Sequence, residues 1–320
     1  MNSSLADYLQ IWGFEQDLII YADGSLGFAL DCVPVDISTW SDEDINNYSE
    51  GIKQFLNGLP ESIDIQFVQD IVPGNNVVLD KYKKLSQKTE NETARFLCFE
   101  RVSALEEDDS LGQIPIHRLK ILVRRPLSQN LIKKPSLFSK EKLFQDISEM
   151  KLSRDMELIL RLRENLTQNL EALHLKVNNI TADEMAGLLY SQWNPSRRIP
   201  LKNYNPDEVR QSLLYSDVGI SVHGFVVGTT QFRVLSLKTL PDQTFSSMAA
   251  KLRELPFKSR VFVSIHVPNQ NNEIKNLQLQ RRVAFSMATG KSNSVSDIES
   301  TTKFQDLETL LEQMIAQGEK

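Results

Sequence analysis

Side chains suited to covalent or metal chemistry are scarce in this 320-residue chain, which has two cysteines and four histidines. Cys32 and Cys98 belong to no CxxC pair and neither has a histidine at ligand spacing, so a zinc knuckle and a dithiol motif are excluded and two reduced, partly buried thiols are expected. His117, His174, His223 and His266 are scattered, and none forms an HxxxH or HExxH arrangement. His223 and His266 fall out of phase with the apolar residues of their predicted strands, which places them at the surface or in a second layer. No serine occupies a GxSxG elbow. No window reaches the roughly 18 apolar residues that cross a bilayer. Met1-Asn2-Ser3-Ser4-Leu5 lacks the basic-then-apolar order of a signal peptide, so folding in the cytoplasm is expected. Basic charge is in deficit, with 36 Lys and Arg against 42 Asp and Glu. The net charge of −6 argues against a broad phosphate-binding face, and no direct nucleic-acid partner is expected. The sequence therefore nominates no catalytic, cofactor-binding or metal-ligating residue.

What is present is ordinary globular material. At this length about two domains are expected. Leu18 to Leu30 holds two apolar runs around Asp23-Gly24-Ser25, a hairpin signature with a type I′ turn at Asp-Gly. A helix starts at Ser41, with Asp44 completing its cap, and carries Ile45, Tyr48, Ile52, Phe55 and Leu56 on one face before Gly58 and Pro60 end it. Ile63, Ile65 and Phe67 alternate with Asp64 and Gln66 as a strand. Residues 80–107 read as one polar helix ending in the solvated loop Glu106-Glu107-Asp108-Asp109, and Arg118 to Arg124 reads as a strand stopped by Pro126.

Residues 139–175 read as one long helix, or two joined near Ser153, with Leu152, Met156, Ile159, Leu166, Leu170 and Leu173 at helical spacing and Glu157–Arg161 as an i,i+4 pair. That stripe suits the core better than a partner seam. Asp183 to Trp193 is a helix closed by Asn194-Pro195. A second lobe follows: a strand at Val218, Ile220 and Val222, glycines 224 and 228, and a return strand at Phe232 and Val234. Then come a helix from Phe245 to Leu255, a closing strand at Val261, Val263, Ile265 and Val267, and helices at 273–287 and 303–316. The predicted fold is α+β. Two α/β-sandwich lobes with mainly antiparallel sheets are joined and flanked by long helices: an N-terminal lobe at 1–135, a helical connector at 136–205 and a second lobe at 206–320.

Gly290-Lys291-Ser292 resembles the end of a phosphate-binding loop, but Phe285 stands where that loop needs glycine and the preceding residues are rich in Gln, Asn and Arg. A nucleotide-binding enzyme using Lys291 is the weaker alternative. The basic pairs Arg124-Arg125, Lys133-Lys134, Arg197-Arg198 and Arg281-Arg282 read as solvated loop ends, with anionic lipid or an acidic partner as the other reading.

The Asp23-Gly24-Ser25 hairpin, preceded by Leu5-Ala6-Asp7-Tyr8-Leu9, the acidic helix after Trp40, the Arg118 to Pro126 strand and the order of the second lobe resemble the amino-terminal portion of TraC-type ATPases. Those ATPases serve pilus assembly in conjugative type IV secretion, and the likeness spans essentially the whole chain. It implies a docking and assembly region that contacts inner-membrane secretion components and self-associates, in that family as a hexamer, at the cytoplasmic side of the inner membrane. ATP and Mg²⁺ are expected only in a carboxy-terminal domain beyond Lys320, so this chain alone is not expected to be an enzyme. A standalone cytoplasmic adaptor is the alternative.

Overall fold

The computed structural model describes residues 9–37, 39–73, 77–111, 113–126, 149–197, 199–201, 203–222, 224–237, 257–288, 305–309 and 312. They form an α+β fold with two antiparallel sheets, as expected. The larger sheet begins with β1 (Ile11–Glu15) and β2 (Leu18–Tyr21). Gln16 and Asp17 join them, both at positive φ (50° and 61°), a two-residue turn of the type I′ kind built without glycine. Asp17 Oδ1 also accepts the Ala182 N–H at 2.9 Å, so this turn is tied to the start of a distant helix.

The turn expected at Asp23-Gly24 is a different one. Between β2 and β3 (Leu26–Val33) only Gly24 has positive φ, 82°. The Gly24 N–H donates to the Tyr21 carbonyl and the Tyr21 N–H to the Ser25 carbonyl, each at 2.9 Å, closing a three-residue loop. Asp23 Oδ1 accepts the Ser25 N–H (3.0 Å) and hydroxyl (2.6 Å), a local turn that favours ordinary backbone at Asp23 over the left-handed region.

Helix α1 (Asp42–Asn57) has the expected capping box, Asp44 N–H to Ser41 Oγ at 3.2 Å and Ser41 Oγ to Asp44 Oδ2 at 2.6 Å. β4 (Ile63–Pro73) and β5 (Pro115–Arg125) pair along their whole length, from Asp64 opposite Arg124 to Pro73 opposite Pro115. The polar helix predicted at 80–107 is two helices, α2 (Val77–Ser86) and α3 (Glu92–Ser110). Asn91 Oδ1 accepts the Ala94 N–H at 3.0 Å and restarts the helix as an N-cap. The acidic run Glu106 to Asp109 is accordingly the last turn of α3 rather than a loop.

α4 (Glu149–Ala172) passes through Ser153 unbroken. β6 (Lys176–Asn179) pairs with the second half of β3, and α5 (Ala182–Trp193) and the short α6 (Val209–Leu213) follow. The smaller sheet has three strands where two were predicted: β7 (Val218–Ser221), β8 (Gly224–Val227) and β9 (Thr230–Phe232). Val222 and Val234 lie outside them and are exposed.

The strand predicted to close the second lobe, β10 (Ser259–Val267), instead pairs with β4 from Ser259 opposite Ile71 to Val267 opposite Ile63. The larger sheet thus runs β1-β2-β3-β5-β4-β10 with β6 beside β3. Val263, Ile265 and Val267 stand opposite Phe67, Ile65 and Ile63, so the apolar alternation of β10 extends the apolar face already formed by β4. α7 (Gln270–Ala288) matches the helix predicted at 273–287; of the one predicted at 303–316, residues 305–309 and 312 are described and helical, while the rest of it and Phe245 to Leu255 lie outside the described residues.

One face of the large sheet packs Leu26, Phe28, Leu30, Ile63, Ile65, Ile121 and Val123 against Phe55 of α1 and against Met156, Ile159, Leu166 and Leu170 of α4. The stripe of α4 is therefore core. The other face, over β1 to β3, packs Ile11, Ile19 and Ala29 against Met185, Ala186 and Tyr190 of α5 and Val209 and Leu213 of α6. Buried Asn194 anchors the link to the small sheet. Its Nδ2 donates to the Tyr190 and Leu213 carbonyls at 2.8 Å, and its Oδ1 accepts the Tyr215 N–H (2.9 Å) and the Ser216 hydroxyl (3.0 Å).

Candidate interaction surface

β4 and β5 are neighbours that a short turn could join, yet the chain between Pro73 and Pro115 carries α2 and α3 as a helical arm. Within the arm α2 and α3 pack chiefly on each other. The Arg101 guanidinium lies over the Tyr82 ring (5.7 Å), the Tyr82 hydroxyl is 3.8 Å from Cys98 Sγ, and Lys83 Nζ is 2.5 Å from Glu106 Oε1. The hydrogen bond and charge of Glu106 hold the Lys83 ammonium above its ordinary range.

Val102 is the buried residue of α3, with Ala94, Cys98 and Leu105 half-buried on the same side. The remaining apolar side chains turn outward: Phe96 and Leu97 are each 62% exposed and Phe99 67%, and Leu85 and Leu111 are exposed as well. Large apolar side chains exposed on neighbouring turns make α3 a candidate contact site. Periodicity could not reveal this arm, because α3 has no single apolar stripe. The signal available was Phe96-Leu97 and Phe99 within a segment otherwise read as polar.

Several charged groups of the sheet are matched to one another. Asp70 is buried between Lys120, at 2.9 Å, and Arg260. Burial alone would raise its carboxyl, but the two cations hold it below its ordinary value. Arg124 donates to Ser25 Oγ (2.8 Å), Asp23 Oδ2 (2.5 Å) and Gln10 Oε1 (3.3 Å), and its guanidinium lies 4.6 Å from the centre of the Tyr21 ring. The expectation of a solvated loop end at Arg124 is corrected: it sits within β5 and fastens the β2–β3 loop. Arg197 stacks over Tyr215 (4.7 Å), and Arg281 reaches Glu308 (3.8 Å). Lys133, Lys134 and Arg198 lie outside the described residues, as do His223 and Gly290-Lys291-Ser292.

Cys32 is buried, and burial followed by the nearby Asp31 charge pushes its thiol up to about 12, which makes it a poor nucleophile. His266, as expected, is at the surface, with Nδ1 2.6 Å from Asp64 Oδ1. Among the described residues no group of three or more His, Cys, Asp or Glu is placed to hold a metal ion, and no helix is long and apolar enough to cross a membrane. The fold and surface define an α+β chain with an inserted helical pair that exposes Phe96, Leu97 and Phe99. No protein-family model matches the sequence, and no curated protein matches it significantly.

Proposed function

We propose that this chain is the docking and assembly region of a TraC-type ATPase of conjugative type IV secretion, holding inner-membrane secretion components through the α2–α3 arm. The observation that carries the reading is the exposure of Phe96, Leu97 and Phe99 on a helix whose polar side chains can surround an apolar contact. Phenylalanine is among the residues enriched at protein interfaces relative to the rest of the surface. The sequence resemblance supplies the context of pilus assembly, with self-association and a peripheral position at the inner membrane. In this reading ATP and Mg²⁺ act in a separate motor domain, and this chain does not hydrolyse ATP by itself.

Co-purification with the co-expressed inner-membrane components of such an apparatus tests the proposal. Capture by the wild-type chain and at least a tenfold loss in a Phe96→Ser, Phe99→Ser double variant are expected. Capture that is absent, or indifferent to the double variant, would sink it. Calorimetric titration with ATP tests the motor assignment separately: saturable heat lost in Lys291→Ala would replace the docking reading with that of a nucleotide-binding enzyme.

A further inference from the structure

We infer that the cleft between the start of α1 and the end of α4 is a binding site for a small molecule carrying a trimethylammonium group. The cleft has a volume of about 500 Å³, and its walls come from Trp40 just before α1, from Asp44 and Tyr48 on α1, and from Leu173 and His174 at the end of α4. Asp44, Tyr48 and Gly51 follow one another at helical spacing, so all three lie on the face of α1 that meets α4. A Cβ at Gly51 would come within 2.8 Å of Leu173 Cδ2, so the chain after α4 rests on α1 there.

Rings and charge both select a cation. The Trp40 and Tyr48 rings stand 5.4 Å apart between centroids at an interplanar angle of 89°. Two rings at a right angle form a corner, and a cation lodged in it meets the negative face of an aromatic ring. Elsewhere in the chain this attraction is met internally, by Arg124 over Tyr21, Arg197 over Tyr215 and Arg210 over Trp12. Among the described residues no Lys or Arg stands over Trp40 or Tyr48. Asp44 accepts the Ser41 hydroxyl at 2.6 Å, and among the described residues no basic side chain pairs with its carboxylate. The first turn of α1 holds Asp42, Glu43 and Asp44, three carboxylates against the roughly +0.5 charge of a helix N-terminus. The 24-residue α4 brings the opposite, negative end of its dipole to the cleft. Exposed His174 is the one basic side chain in the described lining.

The chemistry of the walls narrows the cation. A metal ion needs several oxygen ligands, and Asp44 is the one carboxylate in the described lining. A primary ammonium would exchange water for ring faces that offer its N–H groups no ordinary acceptor. A trimethylammonium group spreads its charge over methyl groups that have no hydrogen bond to lose, so the ring faces solvate it and Asp44 supplies the counter-charge. The inference stands on this cleft alone and is separate from the arm.

Titration of choline chloride into the full chain at constant ionic strength, read by saturation-transfer NMR of the choline methyl protons, provides the test. Saturable binding is expected, at least tenfold tighter than that of the neutral isostere in which carbon replaces the ammonium nitrogen. Trp40→Leu and Tyr48→Leu should each weaken binding at least fivefold, and Asp44→Asn at least threefold, with circular dichroism verifying their fold. In the wild-type chain labelled with ring-fluorinated tryptophan, choline should shift the fluorine signal of Trp40, assigned by its loss in Trp40→Phe, and leave those of Trp12 and Trp193 in place. That measurement locates the site without a disruptive variant. Absence of saturable binding, equal binding of the neutral isostere, indifference to both ring substitutions, or a shift confined to Trp12 or Trp193 would each overturn the proposal.

Discussion

Helices α3 and α4 have comparable apolar content and opposite destinations. α4 lays Met156, Ile159, Leu166 and Leu170 along one side and buries all four beneath the large sheet. α3 distributes Phe96, Leu97, Phe99 and Val102 around its axis and buries only Val102. The difference lies in angular order rather than in amount. A stripe can be satisfied by one neighbouring surface, whereas a scattered set leaves some of its side chains exposed. It teaches that α4 belongs to the stability of the fold, while α3 leaves exposed the side chains that the proposed docking would cover.

Breaking the α4 side of this comparison should have the largest effect. Ile159→Ala removes a fully buried side chain and is expected to cost about 2–5 kcal/mol in denaturant unfolding. Asn194→Ala strips partners from the Tyr190 and Leu213 carbonyls, the Tyr215 N–H and the Ser216 hydroxyl. It should cost about 1–3 kcal/mol and speed hydrogen exchange in β7–β9 before it does so in β3 or β5.

Acid should act on the large sheet through Asp70. Its folded carboxyl lies below the ordinary value, so its contribution is complete above the unfolded pKa, near 3.9, and is lost as pH falls from there through the folded value. The stability gap between wild type and Asp70→Asn should therefore stay flat from pH 7 to 5 and narrow below about pH 4. A gap that narrows between pH 7 and 5 would contradict this assignment. On the α3 side, Phe99→Ser should change stability by no more than about 0.5 kcal/mol, the ordinary range for surface positions, while weakening partner capture.

Elements held by local chemistry were legible in the sequence. The α1 capping box, the alternation of β4 and β5, the α4 stripe and the helix closed by Asn194 were each read from residues a few positions apart. Long-range pairing was not legible in the same way. β10 joins β4 across almost 200 residues, and its Val-rich alternation suits either sheet equally. The turn at Gln16-Asp17 was missed because neither residue is glycine, and β1 and β6 were missed because strands of five and four residues leave little periodicity to count. Arg124 looked like half of a basic pair, since nothing local announces that Asp23, Ser25 and Gln10 converge on it. The exposure of Phe96, Leu97 and Phe99 depends on which described elements pack against α3, which sequence periodicity does not report.

The central claim is that the arm is a docking element set into a sheet that stands without it. Replacing residues 74–114 by Asn-Gly joins Pro73 to Pro115, which already face each other at the end of the β4–β5 pair. Urea unfolding of that variant, followed by co-purification with the inner-membrane secretion components, tests the claim directly. The account predicts one cooperative unfolding transition and loss of partner capture. A chain that no longer folds cooperatively, or one that folds and still captures its partner, would contradict it.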